Sequence, residues 1–256
     1  MSNDAARYPS LEQRVVFITG GGSGIGAELT RAFHRQGARV AFVDIDDAAS
    51  QALVETLEAE TGRSPRYRRC DIRDVEALQG VIADVGRELG PIHTLVNNAA
   101  NDDRHTWQEV DVAYWDERMS LNLRPMFFAA QAAAHQMMEA GGGAIINFGS
   151  ISVQMAIPEL SSYVTAKAAV HGLTRSLARD LGRYNIRVNT LVPGSVMTER
   201  QLQKWIGPEE EASIQAHQCL KLRIEPRHIA PAVLFLASTE STAITGQELA
   251  VDGGWG

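Results

Sequence analysis

A tyrosine and a lysine four residues apart, Tyr163 and Lys167, are the strongest candidates for chemistry in this sequence. Residues at positions i and i+4 lie on the same face of a helix. A phenol is a poor base at neutral pH because its ordinary pKa is about 10. A neighbouring ammonium group favours the phenolate and lowers that pKa. The pair therefore predicts an acid/base centre, with Lys167 lowering the pKa of Tyr163.

A tyrosine and a lysine at this spacing also occur by chance in many helices, so the prediction of an acid/base centre depends on two further polar residues. Ser150 lies just after an apolar run, Ala144–Phe148, and its hydroxyl would hold a substrate oxygen beside Tyr163. Asn122 interrupts a helical pattern that we predict over Tyr114–Ala140, and asparagine is a poor helix former. An asparagine inside a helix indicates a kink or an inserted water, which would relay protons to solvent. These residues complete a predicted catalytic group of four.

Short apolar runs alternate with amphipathic segments along the whole chain. The predicted strands are Val15–Thr19, Arg39–Asp44, Tyr67–Asp71, Thr94–Asn97, Ala144–Phe148, Arg187–Val192 and Glu248–Val251. The predicted helices are Ile25–Gln36, Ala48–Thr61, Val75–Glu88, Tyr114–Ala140, Ser161–Arg183 and Arg227–Ala237. Alternation of this kind predicts an α/β fold, a Rossmann-type doubly wound parallel sheet. We expect a single domain over residues 1–256, with a flexible N-terminus over about residues 1–10.

A glycine cluster follows the first predicted strand and opens the first predicted helix. Glycines there allow a tight turn and a close approach of backbone N–H groups to a pyrophosphate, which also faces the positive end of the helix dipole. A surface turn would use glycine as well, but the strand–turn–helix context favours a nucleotide site. The predicted contacts are Gly20, Ser23, Gly24, Ile25 and Gly26.

An acidic residue, Asp44, ends the second predicted strand, 24 residues after Gly20. Its carboxylate can accept hydrogen bonds from both hydroxyls of an adenosine ribose and would repel a 2′-phosphate. No lysine or arginine stands at Gly21, Gly22 or Ile45 to offset that repulsion. The sequence therefore predicts NAD rather than NADP, with Ile45 beside the ribose. The alternative is that Asp44 caps a helix.

Two more strand ends supply polar residues for the same cofactor. Asp71 would hydrogen-bond the adenine amine, and Ile72 would pack against the ring. After the fourth strand, Asn98 and Ala99 would lie against a ribose, since small side chains there let the ribose approach the backbone. The positive nicotinamide would add to the effect of Lys167 on the tyrosine pKa.

Composition excludes several classes of function. The formal net charge is −7, which argues against binding to nucleic acid or to anionic membranes. No apolar run is long enough to cross a bilayer, and the start of the chain lacks the apolar stretch of a secretory signal. The two cysteines, Cys70 and Cys219, belong to no metal-binding pattern. We expect a cytoplasmic protein without a metal site or a disulfide framework.

Together these motifs resemble the short-chain dehydrogenase/reductase family. The matching residues are Thr19-Gly20, Gly24, Gly26, Asn97-Asn98-Ala99, Asn122, Ser150, Tyr163, Lys167, Pro193-Gly194 and the closing Val251-Asp252-Gly253-Gly254. They match in identity, order and spacing over almost the whole chain. One departure is Ala100, where the family usually has glycine.

The resemblance implies a role for each matching residue. Tyr163 would be the acid/base, Ser150 would orient the substrate oxygen, Lys167 would bind the nicotinamide ribose, and Asn122 would hold a relay water. The nicotinamide end would be lined by Pro193, Gly194, Val196 and Thr198. The family also implies a homotetramer.

The sequence is also similar to bacterial pentose and other aldose 1-dehydrogenases, such as those that act on D-xylose. This likeness lies in residues 101–105 (Asn-Asp-Asp-Arg-His), 114–118 (Tyr-Trp-Asp-Glu-Arg), 147–152 (Asn-Phe-Gly-Ser-Ile-Ser) and 218–221 (Gln-Cys-Leu-Lys). That likeness implies NAD-dependent oxidation of the anomeric hydroxyl of an aldose (D-xylose, L-arabinose, or the D-galactose and L-fucose type) to the aldonolactone. A sugar needs several directional polar groups. The predicted substrate contacts are Asn101, Asp103, Arg104, Ser150, Ser152, Gln154 and Tyr163. Residues 196–218 would form a substrate lid.

Two other functions stay open at this point. One is an NAD(P)-dependent 3-oxoacyl or hydroxysteroid-type carbonyl reductase or alcohol dehydrogenase on the same scaffold. Asp44 argues against the usual NADPH-dependent form of such an enzyme. The other is an NAD-binding regulator without turnover, a class that commonly lacks the tyrosine or the lysine found here.

Overall fold

Seven parallel strands form the centre of the computed structural model, which describes residues 6–255. The strands are β1 (Val15–Thr19), β2 (Arg39–Asp44), β3 (Arg66–Arg69), β4 (Ile92–Asn97), β5 (Gly143–Phe148), β6 (Ile186–Pro193) and β7 (Glu248–Val251). Their order across the sheet is β3-β2-β1-β4-β5-β6-β7. The central strands are continuous apolar runs because helices cover both faces, and every residue of β1 is buried.

Helices connect successive strands and pack on both faces of the sheet. They are α1 (Gly24–Arg35), α2 (Asp47–Thr61), α3 (Val75–Leu89), α4 (Val112–Asn122), α5 (Arg124–Glu139), α6 (Ser152–Met155), α7 (Ser161–Leu181), α8 (Glu199–Lys204), α9 (Pro208–His217) and α10 (Pro226–Ala237). Alternate residues of β1 face opposite layers. Val16 and Ile18 pack with α1 and α10, whereas Val15 and Phe17 pack with α3 and α5. The predicted doubly wound α/β domain is confirmed.

The strand order reverses between β1 and β4, and this places the turns that follow these two strands side by side. Asn98, just after β4, donates from Nδ2 to the carbonyl oxygens of Thr19 and Gly20 at 3.1 and 2.9 Å. Ligands of open α/β sheets bind at such a reversal, beyond the carboxyl ends of the strands. The fold thus brings the predicted glycine turn and the Asn98 turn to one edge.

The structure corrects one predicted helix and one strand. The pattern over Tyr114–Ala140 is two helices, α4 and α5, because Pro125 at the start of α5 cannot supply the N–H that a continuous helix needs. Asn122 is the last residue of α4, so the predicted interruption is a complete break. β3 ends at Arg69, and Asp71 lies in the following turn.

The N-terminal residues that are described contact the domain. Tyr8 donates its N–H to Gln36 Oε1 at 2.9 Å, and Gln36 Nε2 donates to the Ala6 carbonyl at 2.8 Å. Residues 1–5 of the predicted flexible N-terminus lie outside the described part, whereas residues 6 and 8 are hydrogen-bonded to Gln36, the C-cap residue of α1. No helix within residues 6–255 combines the length and apolar character that crossing a membrane requires.

Candidate active site

A cleft of about 640 Å³ lies at the carboxyl ends of the strands. It collects most of the residues that the sequence predicted to be functional. Those that line it are Gly20, Ser23, Ile25, Gly26, Asp44, Ile45, Asp71, Ile72, Asn98, Ala99, Asn101, Arg104, Ser150, Ser152, Tyr163, Lys167, Pro193, Gly194, Val196 and Thr198. Gly24, Asn122, Asp103 and Gln154 do not line the cleft.

The glycine turn brings backbone segments too close together for side chains. A Cβ atom on Gly26 would lie 1.7 Å from the carbonyl oxygen of Gly20, and one on Gly20 would lie 2.9 Å from Ala99 Cα. Gly20 and Gly24 also have φ of +66° and +52°, a conformation that favours glycine. The N–H groups of Gly20 and Gly21 donate to the Val43 carbonyl, so they hold the turn itself. The turn leads directly into α1, whose first N–H groups lack partners within the helix and could bind a pyrophosphate.

Asp44 is oriented by the main chain at the end of β2. Its Oδ2 accepts from Gly22 N–H at 2.9 Å, and its Oδ1 accepts from the N–H groups of Ile45 and Asp46 at 2.8 and 3.1 Å. Helix α2 is capped by Asp46, which accepts from Ala49 N–H at 3.0 Å, so the alternative helix-cap role belongs to a different residue. A fixed carboxylate in this part of the cleft fits the hydroxyls of a ribose.

One cation near Asp44 was missed from the sequence. Arg69 pairs with Asp44 in the β2–β3 register, and its guanidinium donates to the Ile45 carbonyl at 3.1 Å. The same guanidinium forms an ion pair with Asp47. The positive charge is thus partly neutralised within the protein.

Asp71, which the sequence predicts to bind the adenine amine, is already paired with an arginine. Arg73 Nε lies 3.0 Å from both carboxylate oxygens of Asp71. These hydrogen bonds from Arg73 hold the pKa of Asp71 below its usual range, and burial opposes them less strongly. Arg73 also pairs with Glu117 at 3.1 Å. An adenine amine would therefore share this carboxylate with Arg73, a competition that sequence spacing could not reveal.

Tyr163 and Lys167 lie at the inner end of the cleft, on α7. Lys167 is 1% exposed and donates from Nζ to the Phe148 carbonyl at 2.8 Å. Its Nζ lies 5.6 Å from the centre of the Tyr163 ring. Burial lowers the pKa of Lys167 to about 7, an effect that the charge of Asp102 opposes. The lysine is therefore only partly charged near neutral pH.

The predicted lowering of the tyrosine pKa is not found in the protein by itself. Burial raises the pKa of Tyr163, the charge of Asp102 adds to this effect, and a hydrogen bond with Ser150 opposes it. Burial of both side chains favours their neutral forms in the protein without a cofactor. The prediction also counted the charge of a bound nicotinamide, so for the enzyme with its cofactor it stays a prediction.

Ser150 stands opposite Tyr163 at the end of β5. Its Oγ lies 2.8 Å from Ser152 Oγ and accepts from the N–H of Ser152 at 3.2 Å. Ser152 therefore orients the Ser150 hydroxyl. In the orientation that satisfies its hydrogen bonds, the side-chain amide of Gln154 donates to the carbonyls of Ile151 and Ser150 at 3.1 and 3.3 Å. Gln154 thus stabilises this turn instead of lining the cleft.

Asn122 holds the loop that follows β4. Its Oδ1 accepts from Asn101 N–H at 2.8 Å and its Nδ2 donates to the Asn101 carbonyl at 3.1 Å. The side chain is fully buried, with both polar atoms paired. A relay water would therefore need the main-chain carbonyl of Asn122 instead of its side chain.

The loop after β4 is tied to the lid by a cluster that we call the clasp. It consists of Asn101, Asp102, Asp103, Arg200, Gln201 and Lys204. Arg200 lies 3.1 Å from Asp102 and 2.7 Å from Asp103, and Lys204 lies 3.1 Å from Asp103. Gln201 Nε2 donates to Asp102 at 2.6 Å. Asp103 is thus engaged by Arg200 and Lys204 and does not line the cleft.

The clasp also shifts a pKa. Burial raises the pKa of Asp103, but hydrogen bonds from Lys204 and Asn101 and the charge of Arg200 outweigh it, so the pKa lies below its ordinary value. The carboxylate therefore stays charged and keeps its ion pairs.

The outer wall of the cleft is more apolar than the sequence suggested. The side chains that sequence reasoning missed are Met155, Ile157, Leu160, Ile206 and Ile214. They come from α6, from α9 and from turns, where no periodic pattern marks them. Trp205, predicted only as part of the lid, also lines the cleft, and the Arg104 guanidinium lies 5.4 Å from its ring centre. Asp102 also lines the cleft, although it was not among the predicted substrate contacts.

Comparisons with known proteins agree with this geometry. The family described as enoyl-(acyl carrier protein) reductase matches residues 20–256. A D-xylose 1-dehydrogenase of Caulobacter vibrioides is 53% identical over 98% of this chain and 99% of its own. A probable galactose dehydrogenase of Rhizobium meliloti is 47% identical over 99% of both chains.

Comparison with solved structures also finds dehydrogenases. A 7α-hydroxysteroid dehydrogenase in complex with NADH and 7-oxo glycochenodeoxycholic acid superposes with a TM-score of 0.91, at 32% identity over 100% of this chain and 98% of its own. A short-chain type dehydrogenase/reductase from Mycobacterium ulcerans gives 0.91, at 28% identity over 96% of this chain and 90% of its own. The chain belongs to the short-chain dehydrogenase/reductase family of oxidoreductases.

Proposed function

We propose that this enzyme oxidises the anomeric hydroxyl of an aldose to the aldonolactone and uses NAD. The observation that carries the proposal is the similarity over nearly the whole chain to a protein named D-xylose 1-dehydrogenase, at 53% identity. The intact Ser150, Tyr163 and Lys167 in one cleft support it, because they supply what oxidation of an alcohol requires.

The protein residues divide the work between holding the substrate oxygen and moving its proton. Ser150, oriented by Ser152, donates to the anomeric oxygen while charge develops on it. Tyr163 accepts the proton of that hydroxyl and at the same time gives up its own phenol proton, because burial keeps the phenol neutral beforehand. The uncharged Lys167 amine takes the phenol proton, since its pKa of about 7 lets it gain a proton near neutral pH, and a relay water would then carry that proton to solvent. When bound, the nicotinamide accepts the hydride.

NAD is preferred over NADP in this proposal because of Asp44. Three backbone N–H groups fix its carboxylate toward the cleft, and a 2′-phosphate would place like charges together there. Arg69, the register partner of Asp44, could offset this repulsion, but it is paired with Asp47. Substitution of Asp44 by Ser should therefore lower the ratio of NAD to NADP efficiency by at least about tenfold. An unchanged ratio would contradict the role of Asp44.

The remaining site roles are proposals of the same kind. Asn101, Arg104 and Ser152 line the substrate end and would hydrogen-bond the sugar, together with Asp102. We propose the same cofactor contacts that the sequence predicts, with Gly24 acting through its backbone conformation. A homotetramer in the cytoplasm completes the proposal, and light scattering that finds a stable monomer would contradict the oligomeric state.

A single assay tests the function against its rivals. Purified protein is mixed with NAD or NADP and with D-xylose, L-arabinose, D-galactose, L-fucose, a hydroxysteroid or a 3-hydroxyacyl thioester, and the absorbance of reduced cofactor is followed. We expect rapid NADH formation with one or two aldoses. Activity confined to the steroid or the acyl substrate would favour the alternative enzyme, for which the apolar outer wall would be the reason. Tight NAD binding without turnover on any substrate would indicate a regulator.

A further inference from the structure

His105 joins three parts of the substrate end of the enzyme, and the chemistry proposed above gives it no role. Its side chain is buried, with 8% exposed. Nδ1 lies 3.0 Å from the Tyr114 hydroxyl, on α4. Nε2 lies 3.2 Å from the hydroxyls of Ser161 and Ser162, at the start of α7. One imidazole thus links the loop after β4 to the helix that carries Tyr163.

The ring serves as the cap of α7. Leu160, at the N-cap position, offers no side-chain acceptor, and the first N–H groups of a helix lack partners within it. Ser162 donates its main-chain N–H to His105 Nε2 at 3.3 Å. Because a main-chain N–H can only donate, Nε2 carries the lone pair. The ring proton is then on Nδ1, which faces the Tyr114 hydroxyl and the Asp103 carbonyl.

His105 also holds the turn that leads into α7. Its main-chain N–H donates to the Glu159 carbonyl at 2.9 Å. Glu159 and Ala156, in this turn, have φ of +60° and +50°, a conformation that residues with a Cβ seldom adopt and that surrounding contacts must maintain. The turn separates Ser150 from Tyr163 along the chain, so its conformation helps to set the distance between these side chains.

We propose that His105 is a positioning residue for the reaction: by capping α7 and holding the turn at 156–160, it fixes Tyr163 relative to Ser150. It acts through Tyr163 and does not itself line the cleft. Loss of its Nε2 acceptor should therefore lower kcat while NAD binding changes little, because the cofactor contacts at the glycine turn, at Asp44 and after β6 lie on elements that the imidazole does not contact. The proposal rests on the proposed function only for the choice of assay substrate.

Three variants separate the acceptor from the bulk of the ring. Gln at position 105 places an oxygen near the position of Nε2, Asn places one near Nδ1, and Phe keeps the ring without any acceptor. We expect His105→Gln to retain kcat within about threefold, and His105→Asn and His105→Phe to lose about 10- to 100-fold, as a small displacement of a catalytic group does. The Kd of NAD, from quenching of protein fluorescence, should stay within about twofold of the wild-type value.

His34 provides the matched control for a buried histidine. It is 2% exposed and bonds Thr61 Oγ1 at 2.7 Å, at the far end of α1. His34→Phe should lower the melting temperature and leave kcat unchanged at temperatures well below melting. Equal kcat values for the Gln and Asn variants of His105 would overturn the proposal, as would a His105→Phe variant that loses only stability. If His105→Phe does not fold, the comparison of kcat between His105→Gln and His105→Asn still tests the proposal.

The same experiment distinguishes failure of this inference from failure of the proposed function. The variants are compared with the wild type on whichever alcohol the wild type oxidises. Wild-type activity on no aldose would contradict the proposed function, whereas the ratio of variant to wild-type kcat tests His105 alone.

Discussion

Two ends of the cleft are built in different ways. They are the proposed cofactor end, around the glycine turn and Asp44, and the proposed substrate end, around the clasp. At the cofactor end the contacts are made mainly by backbone: Gly22 N–H to Asp44, and the close approach of Gly20 to Gly26. At the substrate end they are made by charged side chains, such as Arg200 and Asp103, from segments 97 residues apart in sequence. Tyr163 lies at the junction of the two.

The two ends of the cleft should therefore tolerate substitutions to different degrees. A backbone site fails when a single Cβ is added, so its residues are strongly constrained. A clasp of partly exposed ion pairs can be rearranged by side-chain substitution, and each pair contributes only about 0.2–1 kcal/mol. We infer that the cofactor end defines the enzyme class and that the substrate end adjusts which alcohol is oxidised.

The largest effect on turnover is expected at Tyr163, between the two ends of the cleft. Tyr163→Phe should lower kcat by about 10³-fold, because loss of a general acid/base costs about 10²–10⁴-fold. NAD and sugar should still bind, since neither end of the cleft is altered. Rates from NADH absorbance, with Kd values from calorimetry, would measure this. Substantial remaining turnover would contradict the role of Tyr163 as acid/base.

At the cofactor end, Gly26→Ala should weaken NAD binding by up to about 100-fold, because overpacking costs about 1–3 kcal/mol. The new Cβ would meet the Gly20 carbonyl oxygen at 1.7 Å. Gly80→Ala, in α3, is the control, since nothing lies within 4 Å of its Cβ. It should leave NAD binding unchanged and stabilise the protein by about 0.5–1 kcal/mol. Equal NAD affinity in the two variants would show that the turn is not the cofactor site.

Lys167 is expected to reduce the stability of the unliganded protein. Its folded pKa of about 7 lies below its unfolded value of about 10.4, so the folded state binds fewer protons between these values. The free energy of unfolding should therefore rise with pH through this window. Lys167→Met should remove the rise and stabilise the protein at pH 7 by about 1–3 kcal/mol, while turnover is lost.

Urea unfolding at pH 7, 8 and 9 would measure that slope below the range in which tyrosines titrate. The exposed Lys221, changed to Met, provides the control: it loses hydrogen bonds to the carbonyls of Gln215 and Ala216 and some stability with them, but it should keep the pH slope of the wild type. The same slope in Lys167→Met and wild type would contradict the shifted pKa.

The smallest effect is expected at the clasp. Arg200→Ala should raise the KM for sugar by about 3- to 10-fold and leave the Kd of NAD unchanged, because it removes two partly exposed ion pairs, with Asp102 and Asp103. The difference should decrease at high salt, which screens exposed charges. Arg35→Ala is the control, since it breaks the Arg35–Glu60 pair (3.2 Å) away from the cleft. A KM unaffected by Arg200→Ala would show that the clasp does not shape the substrate end.

The same contrast explains what the sequence could and could not predict. The glycine turn, Asp44 and Asn98 were predictable because each follows a strand, and strand ends meet at one edge of a parallel sheet. The break after Asn122 was predicted only as a kink, although Pro125 marks it. The clasp and the apolar wall were not predictable, because their side chains come from distant loops and short helices without a periodic pattern. The pKa of Tyr163 depends on burial, which spacing does not give.

The most direct test of the account follows the hydrogen at the anomeric carbon. The aldose with the highest turnover is prepared with deuterium at C1 and oxidised with NAD, and the reduced cofactor is analysed by mass spectrometry. The account predicts that the deuterium is transferred to the nicotinamide ring, and that Tyr163→Phe slows this transfer without changing its origin. Reduced cofactor without deuterium would contradict oxidation at the anomeric carbon.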